Sequence, residues 1–210
     1  MNLENYIKTR LQQKDILLMT HIVLGYPSFD DSLRLVETMV NAGVDMMELQ
    51  IPFSEPMADG PVILKANQDS LERGATLDRC FETAEKICSE FDIPFLFMSY
   101  CNILYKYGFE NFANKMSELG LKGAIVPDIP PEEASDYLAA MKQQQLDPIF
   151  LFAPSSSDAR MQEINAVSSG LIYCVARKGV TGADTEFSKD ISHYLSRCRK
   201  ATDLPLAVGF

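Results

Sequence analysis

The segment DMMELQI at residues 45–51 is followed directly by PFSEPMADGP at residues 52–61. The first segment is mostly apolar and has no glycine or proline, which predicts a buried strand. That strand nevertheless contains an acid, Glu48, and the next segment contains three prolines and the acids Glu55 and Asp59. A strand that only fills a core needs no carboxylate. The pattern therefore predicts a strand that presents a functional group, followed by a stiff loop.

Strand-like segments alternate with amphipathic helical segments along the whole sequence. The predicted strands are 17–25, 45–51, 94–100, 122–128, 147–153, 171–176 and 205–210. The predicted helices are 28–43, 76–91, 109–120, 131–145, 157–170 and 190–201. Strands that alternate with helices indicate βαβ units and a parallel sheet.

This alternation predicts an α/β protein of the (β/α)8 TIM-barrel class. Seven units are visible, whereas such a barrel has eight and typically needs about 250 residues. The sequence stops at Phe210, directly on the seventh strand. We therefore expect a single barrel domain over residues 1–210 that is C-terminally incomplete, with the eighth unit missing from this chain. No GxGxxG follows the first strand, which argues against a dinucleotide-binding fold.

Composition excludes several classes of function. The net charge of -10 argues against a nucleic-acid surface. No apolar run approaches the roughly 20 residues of a membrane span, and the first residues lack the apolar core of a secretion signal. The five cysteines have no CxxC spacing, as in a cytoplasmic protein with reduced thiols. Only two histidines are present, so neither a metal site nor a histidine-based triad is expected.

Four residues fall where a barrel enzyme carries its chemistry, at the carboxyl ends of the strands and in the loops that follow them. Glu48 lies near the end of the second predicted strand, Asp59 in the next loop, Tyr100 after the third strand and Tyr173 in the sixth. The apolar neighbours of Glu48 are expected to raise its pKa by desolvation. That shift would let it exchange protons near neutral pH.

Each of these residues also has a structural interpretation. Glu48 could pair with a buried Lys or Arg, since structural ion pairs also perturb acids. Asp-Gly is common turn chemistry, so Asp59 could simply shape a turn. Tyr173 could be a core aromatic, and GVTG at 179–182 could be an ordinary flexible turn.

Several motifs together resemble the tryptophan synthase α-subunit family. The first is ELQIPFSEPMADGP at 48–61, close to the family pattern E-L-G-[IV]-P-F-S-D-P-x-A-D-G-P. The second is RKGVTGA at 177–183, close to R-x-G-V-T-G. The segments GYPS, SYCNILYKYG and VPDIPPEE follow the family's order and spacing. The resemblance covers the whole chain, and the first motif is long and specific.

The resemblance implies a lyase of tryptophan biosynthesis. Such an enzyme cleaves indole-3-glycerol phosphate to indole and glyceraldehyde 3-phosphate by a retro-aldol reaction, with no cofactor of its own. It also implies an α2β2 heterotetramer with a tryptophan synthase β subunit, and pyridoxal phosphate is expected only in that partner.

Matched motif to motif, the resemblance implies roles for individual residues. Glu48 looks like the general acid/base that protonates C3 of the indole ring. Asp59 looks like the carboxylate at the indole nitrogen, and Tyr173 lies beside both. The implied substrate-binding residues are Tyr100, Thr181, Gly182 and Phe210. Thr181 is expected to bond Asp59 when a lid closes.

The sequence departs from the family pattern at three positions. Gln50 stands where Gly is usual, Glu55 where Asp is usual, and Lys178 where a small residue is common. A large side chain at position 50 is expected to crowd the barrel or the pocket. The family's Gly-Ser phosphate turn, in the last strand-loop unit, is lacking from the sequence as given.

Two other functions stay open at this point. One is a catalytically silent α-like protein that binds and modulates a β subunit, which Gln50 and the short C-terminus favour. The other is a different phosphate-binding barrel, such as an isomerase, which the motif at 48–61 disfavours. The enzyme is favoured over both alternatives by the presence of all three candidate catalytic residues, Glu48, Asp59 and Tyr173.

Overall fold

Strands and helices alternate in the computed structural model, which describes residues 2–176 and 191–209. The strands are β1 (Met19–Val23), β2 (Met46–Gln50), β3 (Phe95–Met98), β4 (Gly123–Ile125), β5 (Asp147–Ile149), β6 (Leu151–Phe152), β7 (Ile172–Val175) and β8 (Leu206–Gly209). The helices are α1 (Leu3–Arg10), α2 (Phe29–Asn41), α3 (Pro61–Glu72), α4 (Leu77–Glu90), α5 (Cys101–Tyr107), α6 (Phe109–Glu118), α7 (Ser135–Gln143), α8 (Asp158–Val167) and α9 (Ile191–Ala201). A 3-10 turn spans Pro131–Glu133.

All strand pairs are parallel and follow the order of the chain. One sheet has the order β1-β2-β3-β4-β5 and a second has the order β6-β7-β8. Only Phe150 separates β5 from β6, and its carbonyl oxygen accepts a hydrogen bond of 3.0 Å from the Tyr173 amide. Residues 147–152 therefore act as one bent strand that joins the two sheets. The predicted strand 147–153 is confirmed in place but is interrupted at Phe150.

This arrangement is the wall of a (β/α)8-type barrel, with seven strands once the bent strand is counted as one. Within the described residues no pairing joins β8 to β1, so the wall is open there. The predicted α/β barrel class is confirmed. The expectation of an eighth unit beyond the sequence stays a prediction.

Both faces of the sheet are covered, which explains why the strands are almost continuously apolar. All five residues of β2 are buried. Met47 and Leu49 pack in the large cluster with the surrounding helices. Met46 packs in a second cluster inside the barrel. Since side chains alternate along a strand, Glu48 and Gln50 face the interior with Met46.

Helix α1 covers the end of the barrel where the strands begin. Its Leu3 and Ile7 are buried in the interior cluster. The buried Asp45 carboxylate accepts hydrogen bonds from Arg10 at 2.9 Å and Lys14 at 2.7 Å, and from the Leu18 amide at 3.0 Å. These bonds fasten α1 and the segment after it to the start of β2.

Candidate active site

Glu48 extends from β2 into the barrel interior, in register with His21 of β1 and Leu96 of β3. It is 7% exposed, and no cation or hydrogen-bond donor is paired with it within residues 2–176 and 191–209. Burial raises its pKa to about 8, and the nearby Asp59 charge adds to the shift. The interpretation as half of a buried ion pair with a described Lys or Arg is therefore wrong. The carboxyl can give and take protons near neutral pH.

Asp59 is held at the end of the loop after β2, immediately before α3. Its Oδ2 accepts two hydrogen bonds, one from the Gln50 amide at 2.7 Å and one from the Tyr100 hydroxyl at 3.0 Å. Its backbone amide donates to the Pro56 carbonyl at 2.9 Å. The Asp59 carboxylate is thus fixed by the side chains of Gln50 on β2 and of Tyr100, two residues after β3. Asp59 therefore does more than shape a turn.

Tyr100 connects this loop to the barrel wall. The side chain is fully buried, and its ring stacks on Phe53 with the centroids 5.2 Å apart. The hydroxyl donates to Asp59 and accepts from the Ala58 amide at 3.1 Å. Burial and the Asp59 charge raise the pKa of Tyr100, so it stays a neutral donor at physiological pH. The structure places Tyr100 as a direct partner of Asp59.

Tyr173 lies on β7, whose neighbour β8 supplies Ala207 in register. Burial raises its pKa, and so do the charges of Glu48 and Asp59. The three predicted catalytic residues are therefore close enough to interact electrostatically. A Cβ built on Gly209 would overlap the Tyr173 ring, so a glycine is required beside it.

Glu48 and Tyr173 line a cavity of about 400 Å³ between β1 and β8. A larger cavity of about 790 Å³ lies where the strands begin, and it touches none of the predicted site residues. The smaller cavity reaches Glu48 and Tyr173 through the open part of the wall, and Asp59 and Tyr100 do not line it.

Gln50 and His21 are interior residues whose contacts the sequence analysis missed. Gln50 is fully buried, and its Oε1 lies 2.7 Å from Nε2 of His21. Its Nε2 donates to Asp59 and lies 3.4 Å from Oδ1 of Asn67. Gln50 does not crowd the barrel, since the side chain is fully accommodated and both of its polar atoms are hydrogen-bonded. Crowding of the substrate pocket stays a prediction. One signal was available, because Gln50 is two residues from Glu48 on one strand and so shares its face.

The remaining predicted substrate-binding residues, Thr181, Gly182 and Phe210, lie outside the described residues. So does the whole RKGVTGA segment. Within the described ranges, no group of three His, Cys, Asp or Glu side chains is arranged to hold a metal ion. No helix in the same ranges is long and apolar enough to cross a membrane. All five cysteines are free thiols.

Comparisons with known proteins agree with the geometry. The family described as "Tryptophan synthase alpha chain" matches residues 7–210. The tryptophan synthase alpha chain of Syntrophotalea carbinolica is 63% identical over 208 residues, which cover 99% of this chain and 82% of that relative.

Solved structures give the same result. A Mycobacterium tuberculosis tryptophan synthase structure has a TM-score of 0.89 at 31% identity, covering 99% of this chain and 79% of that one. A structure of the tryptophan synthase α2β2 complex from Pyrococcus furiosus, described for its mutual activation, has a TM-score of 0.86 at 28% identity. That match covers 92% of this chain and 78% of the other.

Proposed function

This chain belongs to the tryptophan synthase alpha chain family, and we propose that Glu48, Asp59 and Tyr173 carry out its reaction. The protein is a carbon–carbon lyase of tryptophan biosynthesis. It cleaves indole-3-glycerol phosphate to indole and glyceraldehyde 3-phosphate. The observation that carries the residue assignment is Glu48, a buried acid with no partner among the described residues and a pKa of about 8.

Glu48 serves as both acid and base in the retro-aldol cleavage. It donates a proton to C3 of the indole ring, which places a positive charge on the ring nitrogen. The hydroxyl on the adjacent side-chain carbon then loses its proton to the Glu48 carboxylate. The carbon–carbon bond breaks, its electron pair restores the aromatic ring, and the side chain leaves as an aldehyde. Glu48 ends the cycle protonated, ready for the next substrate.

Asp59 stabilises the positive charge that develops at the indole nitrogen. Two carboxylates divide the work when their surroundings differ. Asp59 accepts hydrogen bonds from Gln50 and Tyr100, which hold its carboxylate in place. Glu48 has no such donor among the described residues, so its neutral form is favoured.

The substrate lies against Tyr100 and Tyr173 in this proposal. Thr181, Gly182 and Phe210 complete its binding. Thr181 bonds Asp59 when the lid closes, and Gly182 and Phe210 contribute to phosphate binding or line the pocket. The reaction needs no cofactor in this chain. Pyridoxal phosphate belongs to the partner β subunit, and the complex is an α2β2 assembly in the cytoplasm.

The loop after β2 is the β-subunit surface in this proposal. Met57 in that loop is 74% exposed and Val62 at the start of α3 is 71% exposed. Large exposed apolar side chains that cluster on a surface commonly mark a protein interface. Because Met57 is two residues from Asp59 in the chain, partner binding there would act on the loop that carries the catalytic carboxylate.

Replacing Glu48 by glutamine tests the assignment. The amide keeps the shape but cannot cycle a proton, so Glu48→Gln should lower the rate of indole release by roughly 100- to 10,000-fold. Glu85→Gln is the matched control, because Glu85 is an exposed acid on α4, outside the loop proposed as the β-subunit surface. The control should keep nearly full activity. Near-normal turnover in Glu48→Gln would contradict the proposal.

A further inference from the structure

We propose that Gln50 is a positioning residue, whose carboxamide bridges Asp59 and His21 and thereby fixes both the Asp59 carboxylate and the tautomer of His21. This inference rests on the proposed function for its catalytic consequence, but its structural part is independent of it. The bridge lies on the interior face of the barrel, directly beside Glu48.

The bridge consists of two short hydrogen bonds, one made by the nitrogen and one by the oxygen of the same buried carboxamide group. Nε2 of Gln50 donates to Oδ2 of Asp59 at 2.7 Å, and Oε1 of Gln50 lies 2.7 Å from Nε2 of His21. Gln50 is fully buried. A short, buried bond of this kind holds its partners more firmly than an exposed one, because water does not compete for the donor.

The orientation of the Gln50 amide follows from the chemistry of its neighbours. An ionised carboxylate only accepts hydrogen bonds, so the amide NH2 must face Asp59. Asn67 gives a second, independent reason. Its Nδ2 donates to the Ile63 carbonyl at 2.8 Å and its Oδ1 accepts from the Phe53 amide at 2.9 Å. The same Oδ1 lies 3.4 Å from Nε2 of Gln50, so it too faces an NH2 group.

The amide orientation determines the proton on His21. Because Oε1 of Gln50 is an acceptor, the nitrogen facing it must donate, and that nitrogen is Nε2. Burial lowers the pKa of His21, against the opposing effects of Gln50 and the Asp59 charge. Glu48 faces His21 from β2. The ring is therefore a neutral imidazole with its proton on Nε2, and Nδ1 carries a lone pair instead of a proton.

The bridge has a consequence for catalysis through Asp59. Both donors to the carboxylate, Gln50 and Tyr100, bind Oδ2. No bond to Oδ1 occurs within the described residues. The carboxylate is thus held by one oxygen while the other can face a positive charge. If Gln50 loses its amide, Asp59 keeps only the Tyr100 bond among the side chains that the structure describes, and a misplaced charge costs up to about 100-fold in rate.

The first test reads the His21 tautomer directly by 15N NMR of the imidazole rings at neutral pH. The chain has only two histidines, and His193 is exposed on α9, so His193→Gln assigns the signals. We expect the Nε2–H tautomer for His21 in the native protein, and loss of that fixed preference in Gln50→Met. An Nδ1–H tautomer in the native protein would overturn the bridge, whatever the enzyme's activity.

The second test asks whether Gln50 acts through Asp59. Gln50→Met should lower kcat by about 10- to 100-fold with a much smaller change in KM. In an Asp59→Asn background the same change should have little further effect, because residues that act as a unit are non-additive. An equal loss of kcat in both backgrounds would overturn the positioning role.

Thr20→Val is the matched control for a buried polar change on the same strand as His21 but on the opposite face of the sheet. The Thr20 hydroxyl is buried on β1 and has no hydrogen-bond partner among the described residues. The variant should keep kcat and the His21 tautomer. If the native protein shows the expected tautomer but releases no indole, the proposed function fails and the bridge stands.

Discussion

Glu48 couples the stability of the folded chain to pH. Its pKa is raised from 4.5 to about 8 by burial and by the Asp59 charge. Between these two values the folded protein keeps a proton that the unfolded chain has released. The unfolded state therefore binds fewer protons, and the Glu48 contribution to stability becomes less favourable as pH rises through this window.

The Glu48→Gln variant should not lose stability in this way, because an amide does not titrate in this pH range. We expect its stability relative to the native protein to increase between pH 5 and pH 8.5 by about 2 to 5 kcal/mol, since a tenfold change in proton affinity corresponds to about 1.4 kcal/mol. Urea unfolding at several pH values measures the difference. Glu55→Gln, which alters an exposed acid, should show a pH-independent difference. A constant difference for Glu48→Gln as well would mean that Glu48 is not protonated in the folded state.

The elements around the barrel depend on a few buried polar anchors, of which Asp45 is one. Burial alone would raise the pKa of Asp45, but hydrogen bonds from Lys14, the Leu18 amide and Arg10 outweigh it and lower the pKa. An acid with a lowered folded-state pKa stabilises the protein above its unfolded pKa of about 4. That stability is lost as pH falls through the lower, folded-state value.

Asp45→Asn should therefore weaken the attachment of α1. Arg10 and Lys14 are more than a third exposed, so removing the charge of their buried acceptor should cost about 1 to 3 kcal/mol, and the loss should shrink at acidic pH. Hydrogen exchange in α1 should rise more than exchange in β2 or β3. Glu118→Gln is the control, because within the described residues Glu118 makes only an exposed pair with Lys115 at 3.5 Å. Unchanged protection of α1 in Asp45→Asn would show that apolar packing alone holds the helix.

The strands could be predicted from sequence because a parallel sheet buried on both faces leaves long apolar runs. The predicted limits 45–51 correspond to Met46–Gln50 in the structure. Helices α1, α3 and α5 were missed. Helix α3 buries the polar residues Asn67 and Ser70, which interrupt its apolar stripe, and α5 has only seven residues.

The site was predictable only in part, because some of its contacts depend on how neighbouring strands pair. Glu48, Asp59 and Tyr173 fall in motifs or at strand ends, so local sequence identifies them. The contact between His21 and Gln50 depends on the register of β1 against β2, which no local pattern specifies. The partner of Gln50 in register is Val23, and the side chain reaches His21 along the same face.

At the scale of the whole molecule, the loop after β2 carries both the Asp59 carboxylate and the proposed β-subunit surface. Met57 lies two residues before Asp59 and is 74% exposed. If the β subunit binds at Met57, as proposed, its contacts would shift the nearby Asp59 carboxylate, to which the proposed function assigns stabilisation of the charge at the indole nitrogen.

Met57→Asp should weaken the α2β2 complex. A charge placed in the desolvated centre of an interface commonly costs at least about 2 kcal/mol, or roughly 30-fold in Kd. Titration of the β subunit by calorimetry measures the change. Leu35→Asp, on the outer side of α2 and 38% exposed, is the control. Equal affinities for Met57→Asp and the native chain would place the interface elsewhere.

The central claim is that the buried Glu48 carboxyl transfers the proton in the cleavage of indole-3-glycerol phosphate. The pH dependence of kcat/KM for indole release tests it most directly, because this parameter reports the pKa of the free enzyme's essential acid. Since Glu48 must be protonated to act on C3, the account predicts that kcat/KM declines above a pKa of about 8. A flat profile from pH 6 to pH 9.5, or the same decline in the residual activity of Glu48→Gln, would contradict it.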